Sequence, residues 1–554
     1  MSRRNAHIVF ALAVMVFTNC KKGSEKPPVT ADPNFTIISA KINGKAVGSS
    51  NFVNNTPVIK FSFSSKVDRS TANAKVEIRG VSGFPFLSQV SYENSDSTIV
   101  LQPAGDLNAL EKYKAIVNAG LKSANGKLLQ SAYTVDFITG VDPIYKFPFI
   151  SDSALLQLVQ QQTFKYFWDF GHPVSGLARE RNTSGETVTS GGSGFGIMAI
   201  LVGINRNFIS RSDGIARMQK IVGFLRNSAQ KFHGAFPHWI NGTTGAVIPF
   251  SAKDDGADLV ETSYLFQGLL CARQYFNAPS TDETNLRNDI NTLWNAVEWD
   301  WFRKNNENVL YWHWSSNYSW DMNFAVQGWN EALITYVLAA SSSTHTIPKI
   351  VYDNGWARNG GIRNNNVYFG ITLPLGEANG GPLFFAHYSF LGINPHDLTD
   401  AYANYWTQDV NHSLINYNYC KLNPKGYYGY GDSCWGLTAS DIPNGYTASS
   451  PTNDVGVIAP TAAISSLPYT PIESMKALKF FYFILGDKIW KEYGFVDAFS
   501  LHNLWFADSF LAIDQGPIIV MIENYRSKLL WNLFMSCPEV KTGMTKLGFT
   551  SPNF

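Results

Sequence analysis

"DLVETSYLFQGLLCARQYF" (Asp258–Phe276) decides how the larger part of this chain is read. Its apolar residues follow a period of 3.6 rather than 2, and the run is too long for a strand, so it reads as a buried helix. Just before it, "KDDGADLVE" gathers Asp254, Asp255, Asp258 and Glu261 within eight residues, with one lysine beside them. If the helix begins near Asp254, positions 254, 258 and 261 are spaced i, i+4, i+7 and share one face, while Asp255 points elsewhere. A negative first turn complements the helix dipole, which accounts for Asp254 and Asp255. It does not account for Asp258 and Glu261, which lie deeper. Three like charges on one face repel unless one is protonated or something binds them, as at a functional cluster.

Outward from this run the same period recurs. "SDSALLQLVQQQTFKYFWDF" from Ser151 opens on a Ser cap and continues as an amphipathic helix. Further helical runs bring the total near twelve, separated by long Gly- and Asn-rich spacers loaded with Trp, Tyr and His. Long loops that are not low-complexity carry function more often than linkers do. Twelve helices with such loops predict a mainly α domain over 151–554, an (α/α)6 toroid of six inner helices ringed by six outer ones. The rival, a generic helical repeat, lacks a fixed-period self-similarity.

Residues 34–140 have a different texture. "VIKFSFSS", "AKVEIRG", "STIVLQP" and "YTVDFITG" alternate with period two between Asn, Gly, Ser and Asp, which predicts a small Ig-like β-sandwich. Residues 141–150 read as a linker. At the start, Arg3 and Arg4 precede the ten apolar residues Ile8–Phe17, too few to span a bilayer, and "TNC" follows. Residues 1–20 therefore read as a lipoprotein signal with Cys20 the lipidated residue, and 21–33 as a flexible tether. This implies a cell-envelope lipoprotein, in the periplasm or at the outer membrane, attached through its lipid alone.

Composition narrows the function classes. Formal net charge is +1 and charged residues are 16%, so no global field draws the chain to nucleic acid. Aromatics are 14%, enough to fill a core and also line a groove that stacks on sugar rings. The ten His show no ligand spacing and no CxxC or HExxH motif occurs, so neither metal nor other cofactor is expected. Cys271 reads as a buried free thiol; Cys420 and Cys434 are close enough in sequence to pair, though spacing alone does not decide it.

Two more acids stand out. Glu331 follows Trp329 and Asn330 in "QGWNEALITYV", an acid beside an aromatic platform and an amide suited to sugar hydroxyls, or an ordinary N-terminal Glu. Asp514 and Gln515 sit between two apolar runs, where a cap is the plain alternative. Glu523 and Arg526 read as an ion pair. Paired carboxylates across an aromatic cleft are the parts of glycoside hydrolysis: one acid protonates the leaving oxygen and the other activates water or attacks carbon.

From about Leu155 to Pro538 the chain resembles the bacterial glucoamylase-like domain and, within it, the β-1,2-glucanases of glycoside hydrolase family 144. The stretches that carry the resemblance are "GGSGFGIMAILVGINRNFISR", "DLVETSYLFQGLLCARQYF", "WNEALITYVLAASSSTHTIP", "GPLFFAHYSF", "GYGDSCWGLTASDIPNGY", "YGFVDAF" and "IDQGPIIVMIENYRSKLLWNLFM". The N-terminal runs likewise resemble bacterial Ig-like modules. The resemblance implies an (α/α)6 barrel, β-1,2-glucan hydrolysis with inversion and no cofactor, and it carries the cleft-lining acids onto Asp254, Asp258, Glu261 and Glu331. Glu331 is assigned as the acid and Asp514 as a possible base. Among the substrate-binding candidates are Trp329, Asn330, Gln515, Arg179 (with Arg181 beside it), His387, Tyr388 and Trp435, with Trp239 and Trp312 as further aromatic platforms. "GGSGFG" (Gly191–Gly196) reads as a glycine-rich turn beside the cleft. The partner expected is a β-glucan, bound by a monomer. The alternatives are a glycosidase of other linkage on the same barrel and a non-catalytic glycan-binding lipoprotein.

Overall fold

The computed structural model describes residues 34–48 and 52–554; the Cys20 lipidation site, the signal at 1–20 and the tether at 21–33 lie outside the described residues. The chain divides into two compact units between Thr139 and Gly140. In the first, two five-stranded sheets form a sandwich. Its strands show the alternation expected of a half-buried sheet. Ile59–Phe63 turns Ile59, Phe61 and Phe63 inward and the residues between them outward. Lys112–Val117 does the same with Tyr113, Ala115 and Val117.

The second unit holds twelve α-helices of six or more residues among the described residues. We number those used below α1 (Asp152–Trp168), α2 (Ser190–Asn205), α3 (Arg211–Asn227), α4 (Leu259–Tyr275), α5 (Thr281–Asn295), α6 (Leu333–Ser341), α7 (Tyr405–Leu422), α8 (Pro460–Ser465), α9 (Pro471–Lys479) and α10 (Ala512–Ser527). Several begin where a hydroxyl cap stands: Ser151 accepts from the Ala154 N–H at 3.3 Å, Ser210 from Asp213 at 3.0 Å and Ser280 from Glu283 at 3.4 Å. Two kinds of helix alternate. Helices α2, α4, α6, α8 and α10 are buried along nearly their whole length, whereas α3, α5 and α9 bury one stripe each.

The stretch "GGSGFG", expected as a turn, is instead the first turns of α2. Its glycines serve contact rather than turning. A Cβ at Gly194 would lie 2.0 Å from the Tyr264 carbonyl oxygen, and one at Gly268 2.2 Å from the Gly194 carbonyl. Two glycines facing each other let the backbones of α2 and α4 touch.

Three further expectations are settled by packing. Cys271 is a buried free thiol, and Cys420 and Cys434 are free and buried rather than paired. Glu523 does not pair with Arg526. Its carboxylate takes the Arg206 guanidinium at 2.7 Å, and Arg526 donates to the side-chain oxygens of Gln157 and Gln160. Among the described residues no helix is long and apolar enough to cross a membrane.

Candidate active site

Asp258 occupies a junction that its local sequence only half announces. It ends a short strand, Ala257–Asp258, paired antiparallel with His313–Trp314, so that Asp258 lies opposite His313. It is also the N-cap of α4, its Oδ1 accepting the Glu261 N–H at 2.9 Å. The helix therefore starts at Leu259 rather than near Asp254, and the shared helical face expected for 254, 258 and 261 is not what brings them together. Asp254 sits in the preceding loop. It joins the cluster because His313 Nε2 lies 3.2 Å from Asp254 Oδ2 and 3.5 Å from Asp258 Oδ2. On its other side Asp258 Oδ2 meets His238 Nδ1 at 3.0 Å. Asp255 points elsewhere, as expected, taking the Ser315 hydroxyl and the Asn317 amide.

These contacts set the charges. Burial alone would depress both imidazoles. For His238 the Glu261 charge and the Asp258 hydrogen bond outweigh it, and for His313 the hydrogen bonds to Asp254 and Asp258 do, so both rise to about 9. Burial works against the Asp258 charge, but the two imidazolium partners prevail and hold its carboxyl well below the usual range. Asp258 is thus a fixed anion between two cations. His238, Asp254 and Asp258 bring one donor atom each within 4.8 Å of one another, the described residues nearest to a metal-ligand set. His238 spends its Nδ1 on Asp258 at 3.0 Å, and as an imidazolium it donates to carboxylate rather than ligating a metal.

Glu261 turns from its own helix to the start of α2. Its Oε2 accepts the Gly191 N–H at 2.9 Å and the Thr189 hydroxyl at 3.3 Å. A Cβ at position 191 would lie 2.3 Å from that oxygen, so any other residue here displaces the Glu261 carboxylate. Burial, ahead of the favourable His238 charge, raises its pKa.

Glu331 stands just before α6. Its carbonyl accepts from the Tyr264 hydroxyl at 3.4 Å and from the Ser389 hydroxyl. Burial lifts its carboxyl to about 7, partly offset by a bond to its own backbone, with the Glu261 and Asp258 charges adding to the rise. A carboxyl poised there is protonated in much of the population at neutral pH. Asp514, in the first turn of α10, is buried with both carboxyl oxygens unpartnered among the described residues. Burial and then the neighbouring Asp497 push its pKa well up, and burial lifts Asp497 to about 7. Two buried carboxyls this close resist ionising together, so each keeps the other's pKa up. Behind them Asp497 Oδ2 accepts the Asp441 N–H at 2.6 Å, and Asp441 pairs with Arg181 at 3.2 Å.

The phenol of Tyr388 links the groups: beyond burial, its pKa is raised by Asp514 and Glu331, and that of Tyr264 by Glu331, Glu261 and Asp258. The Tyr264 and Tyr388 rings meet edge to face at 5.7 Å. Direct contacts thus tie Asp254 to Asp258 through His313, Asp258 to the Glu261 N–H, and the Glu331 carbonyl to the Tyr264 hydroxyl. Aromatic rings stand beside the histidines. Phe250 stacks on His238 at 4.2 Å and contacts Trp239 at 4.9 Å, and Phe324 stacks on Trp312 at 5.3 Å. Phe250 and Phe324 are exposed, giving flat apolar faces next to carboxylates, the pairing that sugar rings require.

Several expected binding residues do other work. Trp329 is buried against Phe390 and Tyr405, and Trp435 is fully buried, its indole N–H donating to the Glu473 carbonyl at 3.2 Å; neither is a platform. His387 is a core histidine bonded to Ser466 at 3.0 Å, its pKa driven down to about 3 by burial. Asn330 accepts the Ala332 N–H, Gln515 donates to the Phe495 carbonyl at 2.9 Å, and Arg179 lies over the Phe170 ring. Sequence reasoning missed His238, His313, Asp441, Asp497, Phe250 and Phe324. Only Asp441 and Asp497 left a signal, since both lie in stretches that carried the family resemblance.

Known proteins complete the picture. Residues 34–139 match the family model described as "Bacterial Ig-like domain", and residues 323–538 the one described as "Putative glucoamylase". The solved endo-β-1,2-glucanase of Chitinophaga pinensis is 54% identical, with 73% of this chain and 100% of that one covered and a TM-score of 0.72. The solved β-1,2-glucanase of Parabacteroides distasonis is 39% identical over 94% of this chain and 74% of that one, TM-score 0.70. An exo β-1,2-glucooligosaccharide sophorohydrolase (non-reducing end) of Parabacteroides distasonis is 48% identical over 421 residues, 72% of this chain; the chain spans 58% of that relative's length. With 54% identity along the full length of the Chitinophaga enzyme, this chain belongs to the glucoamylase-like family of bacterial β-1,2-glucanases, glycoside hydrolase family 144.

Proposed function

We propose that the second unit is a glycoside hydrolase that cleaves β-1,2-glucan with inversion. The observation that carries this is Glu331, a carboxyl raised to about 7 by burial and by the nearby Glu261 and Asp258, with two further buried acids, Asp514 and Asp497, on the side of Tyr388. Glu331 gives its proton to the glycosidic oxygen as the bond from that oxygen to the anomeric carbon breaks. Water attacks that carbon from the opposite face and loses a proton to the Asp514–Asp497 pair, which accepts it in its ionised form. The anionic Asp258, clamped by His238 and His313, stabilises positive charge developing on the sugar ring and keeps the Glu331 proton in place. Phe250, Trp239, Trp312 and Phe324 stack on the sugar faces.

The frame we infer is the (α/α)6 toroid. The alternation of helices buried on every side with helices buried on one stripe supports two concentric rings. The division at Thr139 supports an Ig-like module at 34–140 that spaces the enzyme from its anchor, with 141–150 as linker and 151–554 as the enzyme. Lipidation at Cys20, a cell-envelope location and a monomeric state belong to the same proposal.

Purified protein incubated with linear β-1,2-glucan releases gluco-oligosaccharides of inverted anomeric configuration, followed by chromatography and by NMR of fresh product. Glu331→Gln lowers kcat by about 10²- to 10⁴-fold while glucan binding persists. Sugar release from starch alone, or an active Glu331→Gln protein, overturns the proposal.

A further inference from the structure

Away from these acids, the segment that follows α5 builds a second concave surface. A cavity of about 440 Å³ is lined by Glu298, Asp300, Trp301, Asn305, Asn306, Trp320 and His345. Its wall is indole. Trp301 and Trp320 lie with centroids 6.4 Å apart and planes inclined by 33°, and Trp301 is 41% exposed. An exposed tryptophan is costly to leave against water, and here the ring is also held rigid. His233 stacks on it at 3.8 Å and is itself fixed by Glu298 at 2.8 Å, while Trp314 meets its edge at 6.2 Å.

The rim is polar and equally fixed. Lys304, Asn305 and Asn306 have consecutive positive φ of +41°, +60° and +64°, a backbone that asparagine adopts more readily than other L-residues with a side chain. The turn is clamped by the Arg303 guanidinium on the Asn306 and Glu307 carbonyls and by Lys304 Nζ on Asn323. Among the described residues the side-chain amides of Asn305 and Asn306 have no hydrogen-bond partner. Asp300 spends one oxygen on His345, at 3.0 Å, and has the other free; Glu298 likewise offers one oxygen beyond His233. None of these groups takes part in the chemistry above.

We propose that this cavity is a second glucan-binding site, which holds a stretch of the polymer while another stretch is cut. A rigid, bent indole wall matches the apolar face of a pyranose, and amides and half-used carboxylates at its rim match equatorial hydroxyls. Trp314, at the back of this wall, is the strand neighbour of His313, whose imidazole bridges Asp254 and Asp258. Polymer held here is therefore tethered within one strand of the cleavage site, which raises its local concentration there. The inference rests on the β-1,2-glucan reading of the acid site.

The test compares long linear β-1,2-glucan with a five-sugar β-1,2-gluco-oligosaccharide, which once seated at the cleavage site leaves little chain for a second one, as substrates for the wild type, Trp301→Ala and the double variant Asn305→Ala/Asn306→Ala. We expect KM for the long glucan to rise three- to tenfold in both variants, with kcat and KM for the pentasaccharide unchanged; Trp301→Phe restores most of the loss. Unchanged KM for the long glucan, or equal changes on both substrates, overturns the second site. Should Trp301→Ala fail to fold, the double variant, which removes no core group, decides alone. Failure of the wild type to cut either substrate would instead sink the hydrolase reading, so the two failures are distinguishable.

Discussion

Replacing His313 with Gln tests the charge network on which the site depends. The imidazole bridges two buried carboxylates, and its pKa stands at about 9 against an ordinary 6.5. A folded-state pKa above the unfolded value means that folding stabilises the protonated form. That contribution is complete below pH 6.5 and drains away as pH climbs through 9. At about 1.4 kcal/mol per unit, the shift corresponds to about 3 kcal/mol. His238 is raised to the same level by Glu261 and Asp258, so alkali weakens the cluster from both sides. Asp258 works in the opposite direction. Its depressed pKa contributes stability that is present above the unfolded value of 3.8 and lost as pH falls below it. The helical unit is therefore most stable between roughly pH 4 and 6.5 as far as this cluster decides it. In the variant, Asp254 and Asp258 lose a buried cation, which costs about 3–5 kcal/mol, and about half of the alkaline slope disappears because His238 remains. Guanidinium unfolding followed by circular dichroism at 222 nm, at pH 6 and pH 9.5, measures both. A wild type equally stable at the two pH values, or a variant that keeps the full slope, refutes the imidazolium assignment.

Other outcomes follow from the same geometry. Because Glu331 must be protonated to act and titrates near 7, kcat holds on the acid side of neutrality and falls about tenfold per unit above pH 7–8; a rate that rises through pH 9 would exclude it as the acid. Gly194→Ala places a Cβ 2.0 Å from the Tyr264 carbonyl, a backbone atom that cannot swing away, so it lowers the thermal midpoint more than the typical overpacking cost of about 1–3 kcal/mol implies. Gly191→Ala meets a movable carboxylate, and its effect should fall on kcat more than on stability. Prolonged dialysis against EDTA leaves glucan hydrolysis unchanged, since the donors nearest a metal set are engaged as imidazolium–carboxylate pairs; a loss restored by a divalent ion would reverse that reading.

Much of the architecture is legible in residue order because it is periodic and local. The change from period two to period 3.6 near residue 140 separates a sheet sandwich from helices, and a Ser with its N–H partner three residues on marks the start of α1, α3 and α5. The acids Asp254, Asp258, Glu261, Glu331 and Asp514 were also readable as a set, by clustering and by family resemblance. What order could not show is which contacts bring them together. "GGSGFG" looked like a turn because glycine is flexible, yet its use is the missing Cβ at a helix crossing, a property of the neighbour's backbone. Trp329, Trp435 and His387 looked like cleft residues because aromatics in polar loops often are; packing buried them. His313 meets Asp258 through a strand pair formed across 55 residues, and Asp497 reaches Asp514 from a different loop. Sequence alone determined the elements, because hydrogen bonds within a helix and alternation along a strand depend on near neighbours. Tertiary structure alone decided the protonation states, because a charge buried beside another is set by distance through space, whatever the separation along the chain.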